Sequence, residues 1–205
     1  MTRTPQDPQI RIAEIIDAAE KLFTIKGYRG TTISDIATEM GVAQGMCYYY
    51  FKSKEEILEA LLNRHASSFV TEIESMACDN KITPPEKIGL MLRIMLHGIC
   101  FKDAVLLHIV HDKQNFHIKD QLVRQVRLAI SPWGLRIIKE GCQNGHFSVA
   151  HYQTALDFIL IVMEFMIEAF YEKMSGELLS LRLRMAESLI EKALGAAEST
   201  INIAI

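Results

Sequence analysis

Long apolar runs are missing from this sequence. No stretch reaches the length of about 18 residues that marks a candidate membrane-spanning helix. Residues 1–8 contain Arg3 but no apolar segment after it, so we expect neither a signal peptide nor export. These two absences predict a protein of the cytoplasm that has no membrane segment.

Cysteine is scarce and scattered. The chain has four cysteines, at Cys47, Cys78, Cys100 and Cys142, and no C-x-x-C pair among them. This spacing does not fit a zinc ribbon or a disulfide framework. No phosphate-binding loop or complete metal motif is present either. We therefore expect reduced thiols and no cofactor.

An excess of basic residues is also missing. The net charge is -3, and residues 1–64 hold eight Lys and Arg against nine Asp and Glu. A chain without a basic region is not expected to bind nucleic acid strongly and non-specifically. Any binding to DNA therefore has to depend on a local motif.

Strand patterns are absent, and apolar residues recur at helical spacing along almost the whole chain. We predict an all-α fold of about nine helices. They are expected over residues 9–26, 33–41, 43–51, 54–76, 84–101, 103–115, 118–144, 150–174 and 177–200. Pro132 should kink or divide its helix. The loss of periodicity at 77–83 predicts a domain boundary.

Residues 33–52 fit a helix-turn-helix motif. Thr32 and Asp35 are typical of a capping box that starts the first short helix. Ala37 is small where the two helices would cross, and Gly41 can take the left-handed conformation that the turn needs. A pattern of this kind also occurs at an ordinary corner of a helical bundle. The residues of the second helix therefore have to distinguish a DNA-binding motif from such a corner.

Three consecutive tyrosines, residues 48–50, occupy that second helix. Burying all of them would require a hydrogen-bond partner for each hydroxyl inside the core, so some are expected to face solvent. Gln44, at the start of the same helix, is able to read an adenine edge in the major groove. The segment is therefore predicted to present a DNA-binding surface.

Two segments, Thr31–Ala37 and Gly41–Glu56, together resemble the DNA-binding domain of TetR/AcrR transcriptional regulators. With the preceding residues 27–30, the resemblance covers about residues 8–68. It implies a three-helix helix-turn-helix domain over residues 8–68 and a helical ligand-sensing and dimerisation bundle over residues 84–205.

The resemblance also implies roles for single residues. It assigns phosphate contacts to Thr32, Tyr48, Tyr50 and Lys54, and contacts with bases or sugars to Gln44, Met46 and Tyr49. Three positions depart from the family pattern, because Ala43 stands where a capping Ser is usual, Met46 where a small residue is common, and Tyr50 where His is frequent. The missing hydroxyl at Ala43 is expected to cost the recognition helix about 1 kcal/mol.

The second domain is expected to bind a small-molecule effector and a second copy of the chain. The resemblance places an effector cavity among its helices, and the candidate lining residues are His97, Phe101, His108, Trp133, Met163 and Met166. Residues 155–171 are apolar on both faces, so a partner has to cover one of them. We predict a homodimer through helices 150–174 and 177–200, as a two-fold operator requires.

We predict a transcriptional regulator and not an enzyme, with no catalytic and no metal site. The expected mechanism is repression, relieved when the effector releases the protein from a palindromic DNA operator. Two alternatives stay open. A helical metal-dependent enzyme would use His97, His108 and His111, although no carboxylate completes a metal motif there. A helical adaptor would use the apolar surface of residues 155–170 for a different protein.

Overall fold

The computed structural model describes residues 7–100, 116–172 and 174–203, and within them the regular structure is helical, with no strand. These residues form eight helices: α1 (Pro8–Lys26), α2 (Ile33–Glu39), α3 (Gln44–Tyr50), α4 (Lys54–Ala77), α5 (Pro84–Cys100), α6 (Phe116–Gln143), α7 (Tyr152–Tyr171) and α8 (Gly176–Leu194). The predicted all-α class is confirmed. The helix expected at 103–115 lies outside the described residues.

The chain divides into two compact units, Met1–His65 and Ala66–Ile205, and the division falls within α4. None of the described helices is long and apolar enough to cross a membrane. The assignment of residues 8–68 and 84–205 to separate functions stays a prediction.

The N-terminal unit contains α1, α2, α3 and the first half of α4. Its core is formed by the apolar faces of α1 and α4, including Ile15, Ile16, Ala19, Leu22, Phe23, Ile57, Leu58, Leu61 and Leu62. Arg64 of α4 forms salt bridges with Asp17 and Glu20 of α1. The middle of α4 is thus held to α1 by ion pairs.

The crossing of α2 and α3 has the local features that the sequence predicts. The Asp35 amide donates to the Thr32 hydroxyl at 3.1 Å, and the Thr32 amide donates back to the Asp35 carboxylate at 2.8 Å. Gly41 has a φ of +65°, a left-handed conformation that favours glycine. Ala37 is buried at the point where the two helices pack together.

The C-terminal unit is a helical bundle around a single apolar cluster. Helix α5 packs against α6 and α7, while α7 also packs against α6 and α8. Fully buried side chains from several elements fill the centre, including Ile73, Ile88, Met91, Leu92, Leu96, Ile130, Ile137, Ile159 and Leu194. The predicted bundle therefore has a continuous core of its own.

Two charged side chains are buried among the described residues of this unit, Lys87 and Glu191. Lys87 of α5 is 1% exposed, and its ammonium donates to both carboxylate oxygens of Glu140 on α6, at 3.0 and 2.8 Å. Its third N–H donates to the backbone carbonyl of Ala77, the last residue of α4, at 3.1 Å. All three N–H donors of the ammonium have an acceptor. Lys87 therefore links α5 to α6 and to the last residue of α4.

Pro132 does not divide its helix, because α6 runs unbroken from Phe116 to Gln143. The carbonyl that Pro132 leaves without its helical donor belongs to Leu128, whose side chain is 66% exposed, so water can reach this region of the helix. Ile130 and Ile137 are fully buried on either side and hold both halves of α6 in the core.

The last helix ends earlier than predicted. Helix α8 stops at Leu194, not at residue 200, because Gly195 follows in a left-handed conformation with a φ of +59°. The chain then continues as a non-helical tail with a turn at residues 198–199, and its Ile201 and Ile203 are buried. Residues 196–200, which were predicted as the end of a helix in the dimer interface, therefore belong to this tail.

Glu140→Ala tests the buried ion pair. It leaves the Lys87 ammonium buried without its counter-charge, and we expect a loss of about 3 kcal/mol in the free energy of unfolding in urea. Adding Lys87→Met should recover part of this loss, because no unpaired charge remains. Lys139→Ala, an exposed neighbour, should change stability by less than about 0.5 kcal/mol. A Glu140→Ala effect no larger than this control would contradict the assigned role.

Candidate nucleic-acid interface

Helix α3 has one buried side and one exposed side. Cys47 is fully buried, and Phe51, four positions later, is 8% exposed, so this side faces the core. Tyr48 and Tyr49 lie on the other side and are 50% and 81% exposed. The expectation that part of the tyrosine run faces solvent is therefore confirmed.

The remaining predicted residues of α3 complete this exposed side. Gln44 is exposed at the N-terminal end, whereas Met46 and Tyr50 are half-buried. The Tyr50 ring meets the Tyr49 ring edge to face, with 5.0 Å between centroids. We call the group formed by Gln44, Met46, Tyr48, Tyr49 and Tyr50 the α3 surface.

The start of α3 has no hydroxyl cap. Ala43 occupies the N-cap position with an extended backbone, and its side chain offers no oxygen to the free amides of the first turn. Only the backbone carbonyl of Ala43 is used, as an acceptor from Met46 N–H at 2.9 Å. The helix that carries the α3 surface therefore lacks a stabilising contact that α2 has.

Lys54 connects the start of α4 to the segment between α1 and α2. Its ammonium donates to the backbone carbonyls of Tyr28 and Thr31 at 2.8 and 2.9 Å. The same ammonium lies 4.2 Å from the centroid of the Tyr28 ring. Burial lowers the pKa of Lys54, with the charge of Arg29 acting in the same direction and that of Glu55 against it. Among the residues that the structure describes, two of its three N–H donors have a backbone carbonyl as acceptor.

Tyr28 and Glu55 belong to the same cluster, and the sequence did not indicate them. The Tyr28 hydroxyl donates to the Glu55 carboxylate at 3.1 Å. Burial, and then the charge of Glu55, raise the pKa of Tyr28 far above its ordinary value. The phenol is therefore a permanent donor, and it fixes the ring that lies beside Lys54. Neither a motif nor a spacing rule could have found this contact.

Thr32 already uses its donors inside the protein. Its hydroxyl and its amide both donate to the carboxylate of Asp35. These bonds, the hydroxyl contact first, lower the pKa of Asp35 to about 2. The carboxylate thus remains charged at neutral pH. The phosphate contact predicted for Thr32 would require one of these bonds to be released.

Several other basic side chains of this unit are paired with acids. Arg11 pairs with Glu14, Lys21 with Glu39, and Lys26 with Asp35. These pairs are partly or largely exposed, and pairs of this kind contribute little to stability. Lys52, just after α3, is exposed. The positive charge available near the α3 surface is therefore small and local.

The predicted effector residues are brought together only in part. Met163 and Met166 of α7 are buried in the core of the C-terminal unit, Trp133 is partly buried against it, and His97 is exposed. Phe101 and His108 lie outside the described residues, as does His111. Where the structure describes the chain, no three His, Cys, Asp or Glu side chains are placed to hold a metal ion.

The fold and the α3 surface define a helix-turn-helix protein. A model of the family of bacterial regulatory proteins called the tetR family matches residues 15–61. The fatty acid metabolism regulator protein of Bacillus subtilis is 38% identical over 79 residues, which cover 38% of this chain and 40% of that protein. The chain thus matches about two fifths of the length of this curated relative.

Solved structures resemble the chain over almost its whole length. The fatty acid degradation regulator FadR of Bacillus halodurans has a TM-score of 0.71 at 21% identity, covering 95% of this chain and 100% of that one. The regulator FadR of Bacillus subtilis in complex with stearoyl-CoA has a TM-score of 0.68 at 23% identity, covering 91% and 99%. At these identities the likeness shows the fold. The match to the tetR family thus rests on residues 15–61, and over the rest of the chain the comparisons show a shared fold.

Ala43→Ser tests the missing cap. The new hydroxyl can accept a hydrogen bond from a free amide of α3 and should stabilise that helix by about 1 kcal/mol. If DNA binding requires an ordered α3, we expect affinity for the operator to rise by up to about fivefold in a gel-shift titration. Ala43→Val adds bulk without an acceptor and should not do so. Weaker binding by Ala43→Ser would contradict this expectation.

Proposed function

We propose that this protein is a sequence-specific DNA-binding repressor whose α3 surface enters the major groove. The observation that carries the proposal is the exposure of Tyr48 and Tyr49 on a short helix whose opposite side is anchored by Cys47. Two exposed phenols on seven residues are difficult to explain as part of a core, and they offer both stacking area and hydroxyl donors.

Some residues of the α3 surface would contact phosphates, and others would contact bases. Gln44, at the first turn, has an amide that can form paired hydrogen bonds with an adenine edge, and Met46 and Tyr49 would lie close to bases or sugars. Tyr48 and Tyr50 would donate hydroxyls to phosphates. The third N–H of Lys54 would reach a phosphate while its other two donors hold the α1–α2 connection in place.

A second copy of the chain would cover an apolar face of α7 and α8. Large apolar side chains on these two helices are 43 to 65% exposed, and they are Phe158, Ile161, Phe165, Leu178, Leu181, Met185 and Leu189. Arg182 lies over the Phe165 ring at 4.5 Å, which adds a charged group within this face. We call these residues the α7–α8 face. A two-fold pair through it suits a palindromic operator.

We propose that a small-molecule effector relieves repression. The Bacillus subtilis regulator bound to stearoyl-CoA is a relative in fold, and the predicted pocket residues Met163 and Met166 lie in an apolar core. An effector with a substantial apolar part would suit such surroundings. It needs to bind the DNA-free conformer more tightly by only about 1–3 kcal/mol to change operator affinity appreciably. A cytoplasmic location, where an operator is accessible, is part of the same proposal.

Selection of bound duplexes from a random DNA pool tests the DNA-binding proposal. We expect a palindrome with half-sites about 34 Å apart. Gln44→Ala should relax one base position in each half-site by about 1–3 kcal/mol, because one base-specific contact is lost. Lys54→Met should instead weaken binding to all sequences alike. A pool that yields no enriched sequence would refute the proposal.

Leu181→Glu tests the dimer. A carboxylate in the middle of the α7–α8 face would be desolvated against the partner, so we expect monomers in size-exclusion chromatography with light scattering. Leu128→Glu is the matched control, because Leu128 is 66% exposed on α6, outside this face. The control should stay dimeric. A wild-type monomer would contradict the proposal and favour the adaptor alternative.

A further inference from the structure

The tail after α8 forms one wall of a cavity in the C-terminal unit. The cavity has a volume of about 400 Å³ and is bordered by Thr200 and Asn202 of the tail. The α4–α5 connection and one stripe of α5 form the other walls. We call this space the tail cavity. Its volume lies within the range of small-molecule sites, about 300–1,000 Å³.

The tail is held firmly enough to act as a wall. Glu191 of α8 accepts hydrogen bonds from the amides of Thr200 and Ile201 at 2.8 and 3.0 Å, and Glu187 accepts from Ile203 at 2.7 Å. At Gly89 of α5 a side chain would collide with the carbonyl oxygen of Asn202. The tail therefore packs directly on the α5 backbone, and the shape of the cavity is preformed.

The charges around the tail cavity favour an anion with a single charge. Lys81 and Arg93 border the cavity, together with one carboxylate, that of Glu86. Glu86 accepts from the amide and hydroxyl of Thr83 at 2.9 and 2.6 Å, and these bonds lower its pKa. Glu86 is thus charged and already engaged. Two cations against one carboxylate leave a single positive charge for a ligand to balance.

Arg93 has hydrogen-bonding capacity that the protein does not use. Its Nη2 donates to the carbonyl of Asn202 at a long distance of 3.3 Å. Its Nε is buried and has no hydrogen-bond acceptor among the residues that the structure describes. A buried donor without an acceptor is unfavourable. The Nη2 end of the guanidinium is exposed, so a carboxylate in the cavity can accept charge-assisted hydrogen bonds there.

We propose that the tail cavity binds a small amphiphilic monocarboxylate, with its carboxylate at Arg93 and Lys81. The apolar side chains of Ile82 and Leu90, which also border the cavity, would contact a short hydrocarbon body. A doubly charged phosphate fits less well, because Glu86 would repel its second charge. This site is separate from the predicted effector residues, and it does not depend on the proposed DNA-binding function.

Calorimetric titration of the full chain with hexanoate tests the proposal, with hexanamide as the neutral probe of similar size. We expect hexanoate to bind and hexanamide to bind at least about tenfold more weakly, because a charge-assisted pair is lost. Arg93→Met should raise the Kd for hexanoate by a similar factor. Arg136→Met, an exposed arginine outside the cavity, should leave it unchanged.

Two further measurements keep the test decisive if Arg93→Met fails to fold. Lys81→Gln removes an exposed charge of the α4–α5 connection, which also borders the cavity, and should raise the Kd severalfold. In a spectrum of arginine Nε–H groups, hexanoate should shift one resonance of the wild type. The proposal would be overturned if hexanoate does not bind, or if hexanamide binds equally well. It would also be overturned if inorganic phosphate binds more tightly, or if neither Arg93→Met nor Lys81→Gln changes the Kd.

Discussion

The placement of α3 is the constraint on which the proposed DNA-binding surface of this protein depends. A helix of seven residues is too short to be stable alone, and only Cys47 among its side chains is fully buried. Its position is therefore imposed by neighbours: by α2, which packs against it, and by Phe51, which is buried directly after it. Lys54 then ties the start of α4 to the α1–α2 connection, so that the elements around α3 form one unit.

The parts of this unit that the sequence predicted are those set by local rules. Local rules act within a few residues, and a capping box, a glycine turn and a run of tyrosines are examples. The cap at Thr32, the turn at Gly41 and the exposure of Tyr49 could therefore be predicted from the sequence. Lys54 was recognised only as a DNA contact. Its acceptors are backbone carbonyls 26 and 23 residues away, and a backbone carbonyl has no signature in a sequence.

In the C-terminal unit the differences from the predicted helices come from tertiary contacts as well as from the local stop at Gly195. Residues 196–200 have the composition of a helix, yet the buried side chains of the tail and the carboxylates of Glu187 and Glu191 favour a non-helical chain there. At Pro132, core packing on both sides outweighs the local tendency to break the helix. An effector cavity could not be predicted securely, because apolar side chains such as Met163 and Met166 serve a core and a cavity lining equally well.

The charge balance links the two surfaces of the proposed function, the α3 surface and the α7–α8 face. A net charge of -3 and the paired basic residues of the N-terminal unit provide little of the sequence-independent attraction that usually dominates affinity for DNA. One α3 surface, with a few hydroxyls and amides, would then bind weakly. Joining two copies makes the second contact intramolecular, which multiplies affinity without new contacts. On the proposed function, specific binding would therefore require the dimer, and an effector that changes the geometry of the pair would abolish it.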